Sequence, residues 1–424
     1  YGDHRDLHSL RRRQRQMCIR DSNITLDIKV PDHLRDLPVI IGGKEMDMTY
    51  ADFEEEIEMF NRAFVEVMSE GDAKGRPFTF PIPTYNIGED WDWDSDLHWH
   101  IMEMTAKYGI PYFANFVNSD LDPNDVRSMC CRLRLDTREL KRRIGGLFAS
   151  APLTGSLGVV TLNMGRIGYL SKDDDEFLAY VEDLMNIAKE ALLAKREFIE
   201  RMTELGLYPY SKFYLRNIKK MEGAYWTHHF NTIGLIGMNE GLVNFMQVGI
   251  WDPDAKRFAE RVLDFMLEKL VEFQEETQLL WNLEATPGEG ASYRLAKIDK
   301  QKYGDIYTAG KRFPYYTNST WLPVDYTDDI FEVLEHQESL QTRYTGGTVV
   351  HIWLGEAPEP QAVSNLLKKA ISHFRIPYYT ITPTYSICPI HGYIPGKHEY
   401  CPYPHTEEEL VKAGLLQRKI SFEV

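Results

Sequence analysis

The sequence predicts an α/β protein, either an α/β barrel or a wound sheet, followed by a small C-terminal module. Two observations predict the body. Extended and helical segments alternate from Asn23 onward, and several extended runs are apolar on both faces, as buried parallel strands are. A third observation, a pair of Cys/His knuckles after Pro383, sets the C-terminal module apart.

The helical segments are read from apolar residues recurring every three or four positions. Phe53, Ile57, Phe60, Phe64 and Met68 form one such face, with acids between them. Asp175–Met202 is a longer helix with Phe177, Val181, Leu184, Ala188, Leu192 and Ile199 on one side. Ala255–Phe273, Asp328–Gln341 and Gln361–Phe374 follow, the last just after Pro360, a residue suited to a first turn. Between them, β-branched and aromatic runs bounded by Gly and Pro read as strands: Pro77–Pro83, Tyr112–Val117, Leu157–Met164, Thr348–Leu354 and Tyr378–Thr382. No repeat or low-complexity linker divides the middle, so residues 23–382 are expected to form one main domain and 383–424 a second.

The chain has 424 residues and a net charge of −16, which argues against binding a nucleic-acid backbone. No apolar run approaches the roughly 18 residues of a membrane span and no secretory leader opens the chain, so the expected compartment is the cytoplasm and no membrane partner is expected. Residues 1–22 are Arg-rich, and Arg11–Ser22 resembles translated adaptor sequence. Residues 1–22 are set aside as non-native, and Cys18 with them.

The other four cysteines fall in two settings. Cys388-Pro-Ile-His391 and Cys401-Pro-Tyr-Pro-His405 place two ligands in each of two knuckles, the pattern of a closed tetrahedral zinc site. Closed coordination implies structural zinc, with His398 competing with His405 for the fourth position. Cys130 and Cys131 are adjacent, and a bridge between neighbours is strained, because their α-carbons stand about 3.8 Å apart. Taken alone, the pair reads as buried and structural.

The surrounding motifs alter that reading. Pro77-Phe-Thr-Phe-Pro-Ile-Pro-Thr-Tyr-Asn86, Met129-Cys-Cys-Arg-Leu133, Thr154-Gly-Ser-Leu-Gly-Val-Val-Thr-Leu-Asn163, Asn231-Thr-Ile-Gly234 and Ala285-Thr-Pro-Gly-Glu-Gly-Ala-Ser-Tyr-Arg294 occur in that order. Together, from about Asn23 to His405, they resemble the catalytic barrel of the anaerobic, glycyl-radical (class III) ribonucleoside-triphosphate reductases. The resemblance implies an incomplete ten-stranded α/β barrel of the glycyl-radical-enzyme type, with Cys131 on a finger loop as the thiol that abstracts the ribose 3′ hydrogen. It further implies catalytic roles for Asn163 and for Glu289, the latter suited to proton exchange at ribose hydroxyls.

Thr286, Asn318, Ser319, Gly346 and Gly347 lie in small polar stretches suited to ribose or phosphate, as they are to ordinary turns. His228 and His229 are not assigned a metal, because adjacent side chains on regular structure point apart. The resemblance also implies ribonucleoside triphosphates as substrates, a homodimer, and an activating protein carrying S-adenosylmethionine and an iron–sulfur cluster. Formate or a thiol protein would be the reductant, and Cys130 beside Cys131 favours the thiol.

The radical-bearing glycine, expected in an Arg-Val-x-Gly-Tyr run, does not occur. Arg166-Ile-Gly-Tyr169 reads as a strand-to-loop decoy. The chain is therefore expected to be a fragment, inactive alone, with the nucleotide-effector region also outside it. Two other readings stay open. A pyruvate formate-lyase-like glycyl-radical enzyme also carries adjacent cysteines, but the zinc knuckles and the Thr-Pro-Gly-Glu stretch speak against it. A non-catalytic zinc-ribbon binding protein is opposed by the charge and the large α/β body.

Overall fold

The computed structural model describes residues 23–416, except 31, 43, 74–76, 79, 119–125, 130–132, 137–153 and 397. In chain order the elements begin with β1 (Asn23–Leu26), α1 (Asp32–Arg35), β2 (Pro38–Ile41), β3 (Lys44–Thr49), α2 (Glu54–Glu70) and β4 (Ile82–Ile87). Next come α3 (Asp96–Tyr108), β5 (Tyr112–Asn115), β6 (Val126–Met129), β7 (Leu133–Asp136), β8 (Gly155–Asn163), α4 (Met164–Leu170) and α5 (Asp174–Glu204). They continue with α6 (Pro209–Tyr214), α7 (Arg216–Glu222), β9 (His229–Ile236), α8 (Met238–Met246), α9 (Pro253–Thr277) and β10 (Trp281–Ala285). The last are α10 (Glu289–Tyr303), α11 (Ile330–Gln341), β11 (Val350–Trp353), α12 (Pro360–His373), β12 (Tyr378–Thr382), β13 (Tyr385–Cys388), β14 (Gly392–Pro395) and α13 (Glu407–Lys412).

The chain divides into two compact units. One comprises residues up to Val117, His351–His373 and the chain from Tyr379; the other comprises Asn118–Val350 with Phe374–Tyr378. The fold is mixed α/β. Among the described residues its larger sheets have five strands, ordered β1-β4-β5-β12-β11, and three, ordered β10-β9-β8. Among the described helices none is long and apolar enough to cross a membrane.

In the second unit, β8, β9 and β10 are parallel. β9 and β10 are buried along their whole length, so they lack the polar/apolar alternation that marks a strand in sequence, and neither was expected from the residues. One face of the sheet, with Leu162, Ile233, Leu235, Trp281 and Leu283, packs on α5 and α9. α5 starts where the Asp173 side chain accepts from the Glu176 N–H, and it buries Phe177, Val181, Met185, Ala188 and Leu192. α9 starts at Asp252, which caps the N–H groups of Asp254 and Ala255, with Pro253 in the first turn. α4 and α8 approach so closely that a Cβ on Gly168 would lie 2.0 Å from the Gly241 carbonyl oxygen.

In the first unit, β1, β4 and β5 are parallel. α3 begins at Ser95, whose hydroxyl accepts from the His98 N–H, and ends at Gly109 in the left-handed region. His98 is buried among Trp91, Trp93 and Trp99. Its Nδ1 accepts from the Trp91 indole N–H at 3.2 Å, so Nε2 carries the proton toward the Ser364 hydroxyl 2.8 Å away. Burial, opposed by Asp92 and Asp94, pushes the His98 pKa down to about 4.

Several expected boundaries move. The strand expected at Pro77–Pro83 begins only at Ile82, after Pro81, because Pro77 and Pro81 have no N–H to donate to a ladder. The runs expected at Tyr112–Val117 and Thr348–Leu354 shorten to β5 and β11, and the one at Leu157–Met164 shifts to β8. Tyr378–Thr382 forms β12 as read. Arg166–Tyr169 is helical, inside α4, rather than strand-to-loop, because Asn163 caps a helix there. Glu289 opens α10 instead of sitting in a free turn.

Candidate functional site

Because strand side chains alternate, the face of β8-β9-β10 turned away from α5 and α9 carries Thr161 and Asn163, Thr232 and Gly234, and Asn282 and Glu284. The register aligns Thr161 with Gly234 and Gly234 with Glu284, and aligns Thr232 with Asn282. Polar residues thus line one face of a buried sheet, and they converge at its C-terminal end. There the Thr161 hydroxyl donates to Thr286 Oγ1 at 3.2 Å, just past β10. Gly234 makes that approach possible, since a Cβ at this position would stand 1.9 Å from Thr286 Oγ1.

Asn163 ends β8 and caps α4. Its Oδ1 accepts from the Arg166 N–H at 3.2 Å, and its amide donates to Asp299 Oδ2 at 2.7 Å. Asp299, on α10, is fully buried and also accepts from Arg166 Nε at 2.8 Å, from Arg166 Nη2, and from the Tyr316 hydroxyl at 2.7 Å. Burial, and next the hydrogen bond to Asp299, raise the Tyr316 pKa. The backbone of Tyr316 is held in turn by Ser292, whose hydroxyl donates to its carbonyl at 2.6 Å and accepts from its N–H at 3.1 Å.

The stretch that follows is fixed from α8 and α10. Buried Glu240 accepts from the Thr317 N–H at 2.9 Å and its hydroxyl at 2.6 Å, and burial raises the Glu240 pKa against these bonds. Asn318 Oδ1 accepts from the Gly288 N–H at 2.8 Å, and Asn318 bridges Ile236 at the end of β9. Ser319 is buried with φ 41°, and its carbonyl accepts from the Met238 N–H.

The expected residues Asn163, Thr286, Asn318 and Ser319 therefore meet at one end of three parallel strands. Gly346 and Gly347 lie at the outer edge of β10, where the Gly346 N–H donates to the Leu283 carbonyl at 2.6 Å and the Ala285 N–H to Gly347 O at 2.9 Å. Cys130 and Cys131, which fall between β6 and β7 in sequence, lie outside the described residues, and so does the side chain of Glu289. Asp299, Arg166 and Glu240 were not expected. Arg166 stood in the segment read as a decoy, and nothing local marks Asp299.

His228 pairs with Glu222 at 2.5 Å. Buried His229 packs on Trp226, and burial, next to Arg196, pushes its pKa down to about 4. Neither joins a metal-type cluster among the described residues.

A second constellation lies in the first unit. Hairpin β13-β14 pairs Cys388 with Gly392 and brings His391 beside Cys388. Donor atoms of Cys388, His391, Cys401 and His405 all lie within 4.8 Å of one another. Cys388 Sγ stands 3.7 Å from His391 Nδ1 and 3.2 Å from His405 Nε2, and His391 Nδ1 stands 3.4 Å from Cys401 Sγ. Tetrahedral bonds of about 2.0–2.3 Å leave ligand atoms roughly 3.3–3.8 Å apart, so this donor set fits a zinc-type ion. The His391 N–H holds the Cys388 thiol down at about 6 against burial, helped by His405 and the Ile390 N–H. His398 is not in the group, and its N–H bonds to Ser386 Oγ at 2.7 Å.

Comparison with known proteins identifies the family and the fold. The anaerobic ribonucleoside-triphosphate reductase family matches over residues 19–415. The Haemophilus influenzae enzyme of that name is 27% identical over 248 residues, 54% of this chain and 33% of that protein. The enterobacteria phage T4 enzyme is 25% identical over 210 residues, 47% of this chain and 33% of that protein. The chain thus spans about a third of the length of these curated relatives.

The Thermotoga maritima anaerobic ribonucleotide reductase, in a crystal structure with dATP in the specificity site, shares the fold. Its TM-score is 0.65 at 21% identity, with 90% of this chain and 60% of that one covered. The same enzyme in complex with dATP and CTP gives 0.63 at 21%, covering 90% and 59%. With the match running over nearly its whole length, the chain belongs to the anaerobic ribonucleoside-triphosphate reductase family.

Proposed function

We propose that this chain forms part of the catalytic body of an enzyme that reduces ribonucleoside triphosphates to 2′-deoxyribonucleoside triphosphates. The observation that carries the reading is the convergence of Asn163, Thr286 and Asn318 at the C-terminal ends of β8, β10 and β9, in a chain of this family. Strand ends of α/β barrels are where reacting groups gather. On this reading residues 23–382 contribute to a ten-stranded barrel, and 383–424 form the zinc-bearing module.

In the proposed reaction Cys131 removes the ribose 3′ hydrogen as a thiyl, and it returns the hydrogen once the 2′ hydroxyl has left as water. A glycyl radical, installed by an S-adenosylmethionine iron–sulfur activase, supplies the one-electron oxidation of that thiol. Glu289 exchanges protons at the ribose hydroxyls, and Asn163 holds the sugar through its amide. Ser319, Gly346 and Gly347 complete the polar surroundings of the substrate. Two electrons come from formate or, with Cys130 taking part, from a thiol protein. Cys388, His391, Cys401 and His405 would hold zinc, which fixes the hairpin and does no chemistry. The dATP and CTP complexes of the Thermotoga maritima enzyme support nucleotides as substrate and effector. A cytoplasmic homodimer completes the proposal.

Direct binding tests the reading. Isothermal titration should detect a ribonucleoside triphosphate on this chain and no affinity for pyruvate or for single-stranded DNA. Binding of either of those, with none of the triphosphate, would overturn it.

A further inference from the structure

We propose that Asp299 is a positioning residue for the sugar-binding strand end, holding the Asn163 amide in one orientation and tying it to the loop that carries Asn318. The proposal rests on the reading of Asn163 as a substrate contact. Asp299 is 0% exposed, and its donors come from three places: the end of β8 through Asn163, the first turn of α4 through Arg166, and the loop after α10 through Tyr316. A carboxylate offers about four acceptor positions, and here four N–H and O–H donors reach it. Nothing is left for a ligand, so Asp299 acts through its neighbours.

The consequence for Asn163 is specific. Its Oδ1 faces the Arg166 N–H and its amide nitrogen faces Asp299. A flipped amide would set oxygen against the buried carboxylate and NH2 against N–H, two repulsive contacts. The fixed amide keeps one N–H and one lone pair uncommitted, the complement of a sugar hydroxyl, which both donates and accepts.

The other arm is equally constrained. The Tyr316 ring is wedged against Gly165 and Gly237, where an added Cβ would stand 2.4 Å and 3.1 Å from it. Two residues on, Asn318 is bonded to Gly288. One buried carboxylate thus sets both sides of the proposed sugar site, whereas a purely structural pair would need only Arg166.

The test compares Asp299→Asn and Tyr316→Phe with the unsubstituted chain, each labelled with 15N-asparagine. The Asn163 side-chain amide signal is assigned by its loss in Asn163→Ser. Asn231, whose amide donates to the Leu280 carbonyl at 3.2 Å, serves as internal reference. In Asp299→Asn the Asn163 signal should move and lose exchange protection while Asn231 stays. Affinity for a ribonucleoside triphosphate should fall by about tenfold or more. Its preference over the 2′-deoxy counterpart should shrink, a readout that loosened packing would not move selectively.

Tyr316→Phe keeps the ion pair and should act in the same direction by roughly threefold, so it carries the test if Asp299→Asn fails to fold. An unmoved Asn163 signal and an unaltered ribo/deoxy preference would overturn the proposal, and so would joint displacement of Asn163 and Asn231. If the unsubstituted chain binds no ribonucleoside triphosphate, the functional reading fails. The amide signal then still decides whether Asp299 holds Asn163.

Discussion

The Cys/His cluster and the Asp299 cluster each gather four side chains, yet they are assembled in opposite ways. Cys388 and His405 are 17 positions apart, whereas Asn163 and Asp299 are separated by 136. The first is built by one hairpin and a short return, its donors joined by sulfur–imidazole contacts of 3.2–3.7 Å that a zinc-type ion would replace. The second brings a carboxylate, a guanidinium, an amide and a phenol together from separate elements and balances its charge internally. A site of the first kind depends on its ligand to persist, and one of the second kind depends on the fold.

The largest effect expected from this difference is on metal removal. Structural zinc sites contribute about 10–16 kcal/mol of binding free energy in small domains, so a strong chelator should collapse the hairpin. Hydrogen exchange at β13, β14 and α13 should then lose protection while β8-β9-β10 keeps it. Cys388→Ser and His405→Ala should each abolish the one-to-one zinc content read by elemental analysis, and His398→Ala should preserve it. Retention of metal in His405→Ala with loss in His398→Ala would mean that the fourth ligand has been misassigned.

The converse perturbation is Arg166→Ala. It leaves Asp299 buried without its cation, and breaking such a pair by removing one partner costs about 3–5 kcal/mol; partial exposure of Arg166 sets the expectation at the lower end. Denaturant unfolding of the second unit should show that loss with zinc content unchanged. A loss under about 1 kcal/mol would mean that water already compensates the carboxylate.

Acid sharpens the comparison in the first unit. His98 is held neutral, its folded pKa near 4 lying below the ordinary 6.5. Between those values the unfolded chain binds a proton that the folded chain does not, so stability is whole above pH 6.5 and falls as pH drops toward 4. The expected loss is about 2–3 kcal/mol, read by hydrogen exchange in α3 and α12. His98→Gln should flatten that slope. His229, in the other unit, has the same window, and its slope should remain.

This contrast also explains what could be read from sequence. The zinc-type cluster was legible because spacing along a hairpin is nearly geometry: C-x2-H and C-x3-H place four donors together with no knowledge of the fold. Long amphipathic helices such as α5 and α9 were legible from periodicity. β9 and β10, buried on both faces, carried no alternation to read, and β9 was noticed only as the motif Asn231–Gly234. Asn163 came from resemblance. Its partner Asp299 sits in Lys297-Ile-Asp-Lys300, where flanking lysines give the look of an ordinary solvated helix face. Only the packing of α10 on the end of the sheet turns that aspartate inward.

The smallest expected change in stability separates the fold from the site most finely. In Asn163→Ser the shorter hydroxyl can still cap α4 by accepting from the Arg166 N–H, since serine is among the preferred capping residues. It cannot reach Asp299, so one charge-assisted bond of the four is lost, and the expected cost is about 1 kcal/mol. Thermal unfolding should therefore shift only slightly. Triphosphate affinity should fall by considerably more than that loss implies, because the amide proposed to meet the sugar is gone while its scaffold remains. Equal losses in stability and affinity would reduce Asn163 to a helix cap, and the polar strand end would then be part of the fold rather than of the site.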